Sequence, residues 1–234
     1  MIVTYRRVGG MQPPPDRELL TIDDDGSFTL WRSVGWATYP PTPVGRFSGR
    51  LDSADVSTLQ EEASSARTGG NVHLISMPGS AIEDIQISGA HGEIATHDTP
   101  DGPWAGLVAH VRQLLGDLTA HPRAAISLQV DPAGESARLV HLGSDALRID
   151  LTALTVQAQL WRPADYGIVR TWNAAQVPAL GVTTASPGWT FDLPFDHCFD
   201  VVEGTSVKAF VTCTLFDDAT PTLISLESPP PVDG

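Results

Sequence analysis

Trp104, Leu107, Val108, Val111, Leu114, Leu115 and Leu118 recur at the three- and four-residue spacing of one helix face. The spacing predicts an amphipathic helix whose apolar stripe covers a sheet, with His110, Arg112 and Gln113 turned away from that stripe. Beyond about residue 120 helical spacing almost disappears, and short β-branched or aromatic runs separated by Gly, Pro and Asp take over. The chain therefore reads as an α+β module, a β-meander with two helices over 1–120. An all-β, sandwich-like domain follows over 121–227, and 228–234 forms a flexible proline-bearing tail. The change of pattern near Gly116, His121 and Pro122 sets the boundary.

In the first half, strands are expected at Ile2 to Val8, Glu18 to Asp23 and Ser27 to Arg32, with Asp25-Gly26 as the hairpin turn between the last two. Pro13-Pro14-Pro15 donates no ladder hydrogen bonds, so Gly9 to Arg17 is a projecting loop. After a strand at Gly45 to Leu51, Asp52 or Ser53 caps a helix running to about Ala66, with Val56, Leu59 and Ala63 on one face and Gly69-Gly70 ending it. Ile82, Ile85 and Ile87 mark a strand, Gly89 to Gly92 a turn and Glu93 to His97 its return; Asp101 is read as the N-cap of the helix from Trp104. In the second half, strands are expected at 124–130, 137–142, 147–161, 166–171, 189–193, 207–216 and 222–226.

Composition narrows function more than it defines it. With 41% hydrophobic and 18% charged residues, the 234-residue chain can bury a core. Its 28 acidic side chains outnumber 14 basic ones, for a net charge of −14, and Lys208 is its only lysine. Such a field disfavours nucleic acid and anionic membranes, which are bound by clustered Lys and Arg. No apolar leader or run of membrane-spanning length stands out, so a cytoplasmic protein is expected, with non-classical export left open. Cys198 and Cys213 are too few for a disulfide framework and are read as reduced thiols.

No His-Glu-x-x-His, Walker loop, dinucleotide fingerprint or Gly-x-Ser-x-Gly elbow occurs, so neither catalytic residues nor a cofactor is assigned. His97-Asp98 with Asp101, and Asp196-His197-Cys198, combine imidazole with carboxylate or thiol and could serve acid-base or metal chemistry. Capping and packing roles are preferred for both, and no metal site is expected. Asp23-Asp24-Asp25-Gly26 lacks the spacing of a calcium loop and reads as a turn. Trp161, Tyr166, Trp172 and Trp189 offer either a stacking platform for sugar or peptide, or core aromatics.

Taken together, Ile2 to Met11, the strand Leu19-Leu20-Thr21-Ile22 with Asp25-Gly26, the helix after Leu51, and Asp84 to Ile87 followed by Trp104 to Leu115 resemble the emfourin family. Its members are small proteins that inhibit thermolysin-like zinc metalloproteases, and the resemblance spans about residues 2–118. It implies a non-enzymatic protein-binding module that occludes a protease cleft; no family residue carries over as a contact, and the proline-stiffened loop with Gly9, Gly10, Met11, Gln12, Asp16 and Arg17 is the expected contact loop. The prolines at 13–15 and the stretch Ser33 to Pro43 lengthen this chain's loops relative to the family pattern. A ligand-binding β-sandwich and a hydrolase of unfamiliar type are the alternatives.

Overall fold

The computed structural model describes residues 1–9, 16–35, 43–130, 136–162, 167–173, 181–193, 206–217 and 220–227. In chain order the elements begin β1 (Val3–Gly9), β2 (Asp16–Ile22), β3 (Ser27–Arg32), β4 (Val34–Gly35), β5 (Val44–Arg50) and α1 (Ser53–Gly69). Next come β6 (Val72–Leu74), β7 (Ile82–Ile87), β8 (Ala90–Ala95), α2 (Ala105–Asp117), β9 (Pro122–Val130) and β10 (Ala137–Leu142). The chain continues with β11 (Leu147–Arg162), β12 (Gly167–Asn173), β13 (Val182–Ala185), β14 (Thr190–Asp192), β15 (Ser206–Asp217) and β16 (Thr220–Glu227). Over the described residues the fold is mostly β with two α-helices, and its sheets mix antiparallel and parallel pairs. No described helix is long and apolar enough to cross a membrane.

The chain divides into two compact units, one of Met1–Arg32 with Arg46–Pro122 and the other of Ser33–Gly45 with Arg123–Gly234. The stretch Ser33–Gly45 thus leaves the first unit to join the second.

Within the first unit the hydrogen-bonded strand order is β5-β3-β2-β1-β7-β8-β6. Strand alternation sends Val3 and Tyr5, Leu20 and Ile22, Phe28 and Leu30, and Ile85 and Ile87 to one buried face. Asp52 caps α1 by accepting from the Asp55 amide at 2.8 Å, and Leu59, Ala63 and Ala66 are its buried positions, Val56 being only half-buried. In α2 the expected stripe is buried throughout, from Trp104 to Leu118.

Three local expectations change. Asp101 makes no side-chain cap bond; Gly102–Trp104 is a short 3₁₀ turn, and the α-helix starts at Ala105. The β7–β8 turn is tighter than expected, because Ile87 already pairs with Ala90 across Ser88-Gly89. Arg112 is not a solvated residue, since it bonds a buried carboxylate.

In the second unit one sheet has the order β12-β11-β15-β16-β4, with β13 also on β11, and a second group is β14-β10-β9. Along β15 the buried positions Val207, Ala209, Val211, Cys213 and Leu215 keep one parity. Along β11 the parity switches, from Leu147, Ile149 and Leu151 to Leu154, Val156, Ala158 and Leu160. A register shift between Asp150 and Thr155 absorbs the switch, so Ile149 opposite Leu215 and Val156 opposite Val211 stay on the same side. Asp150 closes this bulge by accepting from the Thr152 amide and hydroxyl at 2.9 and 2.6 Å, bonds that hold its carboxyl below the usual range. Gly45, at φ +128°, has its Cα so close to the Ala124 carbonyl that no Cβ fits there. The tail 228–234 lies outside the described residues.

Candidate functional site

Cross-strand register builds a row of alternating charges on the buried face of the first unit. Arg32 stands opposite Glu18, Glu18 opposite Arg7, and Arg7 opposite Glu83. Directly opposed residues share a face, so these side chains meet beneath the helices rather than in solvent. Arg32 Nε donates to Glu18 Oε1 at 2.5 Å, and its Nη2 donates to the Leu115 carbonyl at 3.1 Å. Arg7 Nη1 lies 3.6 Å from Glu18 Oε2. Arg112 of α2 closes the row with a fork onto Glu83, from Nε at 2.9 Å and Nη2 at 2.7 Å.

The Tyr5 hydroxyl donates to Glu83 Oε1 at 3.3 Å, and burial, reinforced by Glu18, raises its pKa so that it remains a neutral donor. Glu18, Arg32 and Glu83 are each no more than 5% exposed. Charges this dry are tolerated only when paired and hydrogen-bonded, so a slip in the register of β3, β2, β1 or β7 would leave a buried charge unpaired. It lies just inside the last pairs of the β1–β2 hairpin, Val8 with Arg17 and Gly9 with Asp16.

Of the loop residues singled out from sequence, Gly9 ends β1 at φ +104°, and Asp16 and Arg17 open β2. Gly10, Met11 and Gln12 lie outside the described residues, as do the side chains of Asp16 and Arg17. Of the aromatic candidates, Trp189 is half-buried and stacks on Phe191 with centroids 6.0 Å apart and planes at 6°. Phe191 was missed, although its spacing of two from Trp189 fits one strand face. Trp172 is half-buried in β12, opposite Ala158. The Trp161 side chain and all of Tyr166 fall outside the described residues.

His97 and Asp98 meet a residue that sequence did not suggest, Ser76. The Ser76 hydroxyl donates to Asp98 Oδ1 at 2.5 Å, its amide donates to Asp98 Oδ2 at 2.9 Å, and His97 Nε2 lies 3.0 Å from the same hydroxyl. These Ser76 bonds hold the Asp98 carboxyl below its usual range. Because Asp98 takes the single hydroxyl proton, His97 Nε2 is the donor to Ser76 and does not serve as its base. The trio clasps two loops and lacks the base-to-nucleophile order of a hydrolytic triad. Asp196, His197 and Cys198 lie outside the described residues. Cys213 is a buried free thiol whose pKa burial pushes up to about 12, the environment of an inert cysteine. Asp25 accepts from the Ser27 amide and hydroxyl and from Arg50, as a turn residue does.

A shallow cleft of about 380 Å³ runs between α1 and α2, lined by Asp55, Thr58, Glu62, Gly106, Ala109, His110 and Gln113. Glu62 Oε2 sits 2.9 Å from His110 Nδ1, which therefore carries the proton, and Asp55 Oδ1 lies 3.9 Å from Nε2. On the solvent face of β7 and β8, Asp84, His91 and Glu93 bring donor atoms within 4.8 Å of one another; among the described residues these could hold a metal ion.

The chain matches no family model, no curated protein and no solved structure.

Proposed function

We propose that the chain is a non-enzymatic protein-interaction module that presents the tip of its β1–β2 hairpin to a partner, the class implied by its resemblance being a thermolysin-like zinc metalloprotease. The observation that carries this reading is the buried row Arg32, Glu18, Arg7, Glu83 and Arg112 at the hairpin root. A root anchored by paired charges, together with Pro13 to Pro15 in the tip, limits the freedom lost on binding and suits occlusion of a cleft. The test is a titration of the full chain against a panel of thermolysin-like proteases while peptide hydrolysis is followed. Inhibition that disappears when residues 10–15 are replaced by a Gly-Ser linker supports the reading, with circular dichroism showing an intact fold. Undiminished hydrolysis at a large excess of the chain rejects it for that panel.

A second reading places ligand binding in the β-rich second unit, arranged as a two-layer sandwich. The single buried face of β11, β15 and β16 favours the layered arrangement, and the Trp189–Phe191 stack favours the ligand role. Quenching of tryptophan fluorescence by an oligosaccharide or peptide, abolished in Trp189→Ala, is the expected result. Quenching that persists in Trp189→Ala counts against it.

A further inference from the structure

We infer that Asp84, His91 and Glu93 form a site for a divalent transition-metal ion of the zinc class. The three side chains come from two adjacent strands. Asp84 stands directly opposite Glu93, and His91 is opposite Gln86, so all of them share the face turned away from the helices. On β6, His73 pairs in register with Glu93, and His73 Nδ1 lies 2.9 Å from Glu93 Oε2. Arg6 stands opposite Asp84 on β1 and is exposed.

Two observations separate this cluster from an ordinary solvated acidic face. First, Asp84 and Glu93 stand directly opposite each other on paired strands, where like charges repel and a cation between them is favourable, while Gln86 Nε2 holds Asp84 Oδ1 at 3.2 Å. Second, His91, whose side chain is 39% exposed, makes no hydrogen bond through Nε2 although that atom lies 3.3 Å from Asp84 Oδ2. A charged imidazole placed there to neutralise the pair would donate to the carboxylate along its N–H axis. Here the nitrogen is near the oxygen without a hydrogen bond between them, which leaves both atoms available to an ion.

Around a tetrahedral Zn²⁺, nitrogen and oxygen ligands lie about 3.4 Å from one another, given metal bonds of about 2.0–2.2 Å. The His91–Asp84 separation already fits this, and the half-exposed Glu93 carboxylate can close the remaining gap by a rotamer change. His73 holds Glu93 from outside, as a supporting partner does for a metal ligand.

The backbone that carries the ligands is fixed from beneath. Gly92, between His91 and Glu93, faces the core, where a Cβ would sit 2.9 Å from Trp104 Cζ3. Trp104 in turn donates from its indole nitrogen to the Gly70 carbonyl at 2.8 Å. The His91 amide donates to Asn71 Oδ1 at 3.0 Å, and Arg67 Nε donates to the Ser88 carbonyl in the turn at 2.7 Å. One nitrogen and two carboxylates favour Zn²⁺ or Co²⁺ over Ca²⁺, which takes six or more oxygens. Solvent access leaves room for a bound water as the fourth ligand.

The test uses the full chain, stripped with a chelator and titrated calorimetrically with Zn²⁺, with Co²⁺ followed by visible absorption. One ion per chain is expected, with binding weakened about tenfold or more in both His91→Gln and the near-isosteric Asp84→Asn, about tenfold in His73→Gln, and unchanged in His97→Gln. Circular dichroism of each variant checks that the sheet is retained. Absence of binding, binding unaltered in His91→Gln and Asp84→Asn, or equal affinity for Ca²⁺ would overturn the assignment.

Discussion

The Arg112 guanidinium reaches from α2 to the Glu83 carboxylate on β7 with two donated bonds of 2.7 and 2.9 Å, and the carboxylate it meets is almost entirely buried. The pair ties helix to sheet at the point where the buried charge row ends. Breaking one partner of such a pair leaves a dry, uncompensated charge, at a cost of about 3–5 kcal/mol. Arg112→Leu is expected to fall near the lower end, because Tyr5 still donates to Glu83. Glu83→Leu combined with Arg112→Leu should recover much of the loss. Urea unfolding midpoints of the two variants check this, and a loss below about 0.5 kcal/mol in Arg112→Leu would show the pair to be no more than a surface contact.

His141 gives a pH dependence with a defined sign. It is buried in β10, and burial lowers its pKa below 6.5 against the raising effect of a backbone hydrogen bond at Asp145. Above about pH 6.5 the ring is neutral whether folded or unfolded, and its contribution to stability is complete. As pH falls through that value the unfolded chain takes up the proton first, so stability is lost until the folded-state value is also passed. Unfolding midpoints of His141→Leu should fall less steeply than those of the unaltered protein between about pH 7 and pH 5. Parallel profiles would place the acid sensitivity elsewhere.

Gly92 and Trp104 define a contact that tolerates no added atom. In Gly92→Ala the new methyl would press on Trp104 Cζ3 and, at 3.1 Å, on Val72 Cγ1. Overpacking of this kind costs about 1–3 kcal/mol. The thermal midpoint should drop accordingly, while Gly116→Ala, on an exposed helical position with open space around it, should match or exceed the unaltered protein.

Thiol chemistry offers a check on the second unit. Cys213 points into the face shared by Val211 and Leu215, and its raised pKa leaves almost no thiolate at neutral pH. Peptide-resolved alkylation should leave Cys213 unmodified in the native protein and modify it fully in denaturant. Rapid native modification would mean that the β11–β15–β16 face opens readily.

Much of the fold was readable because its pattern was long. The α2 stripe and the strands β1, β2, β3 and β15 each carry a clear helical or alternating signal, and the Asp52 cap stands one residue ahead of α1. Strands β4, β6 and β13 escaped because two to four residues hold too few alternations to register, and partners elsewhere in the chain define them. The bulge in β11 was present in the letters as a parity switch after Leu151, but only its partner β15 shows which face each half uses.

The charged rows were less legible still. Arg7, Glu18 and Glu83 look like solvated strand residues until register aligns them, and Asp84, His91 and Glu93 become a cluster only once Asp84 is set against Glu93. Ser76 joined His97 and Asp98 for the same reason: loop-to-loop proximity leaves no periodic trace.

Val34 and Gly35 pair in parallel with Ser225 and Leu226, so an early strand of the second unit is completed by the latest of the described strands. On a ribosome, where domains tend to fold in order of emergence, Val34 and Gly35 wait for this partner until residues 220–227 have been made. The first unit can assemble around this excursion as soon as α2 has emerged. The second can close its sheet only once residues 220–227 have emerged, so those eight residues time its folding.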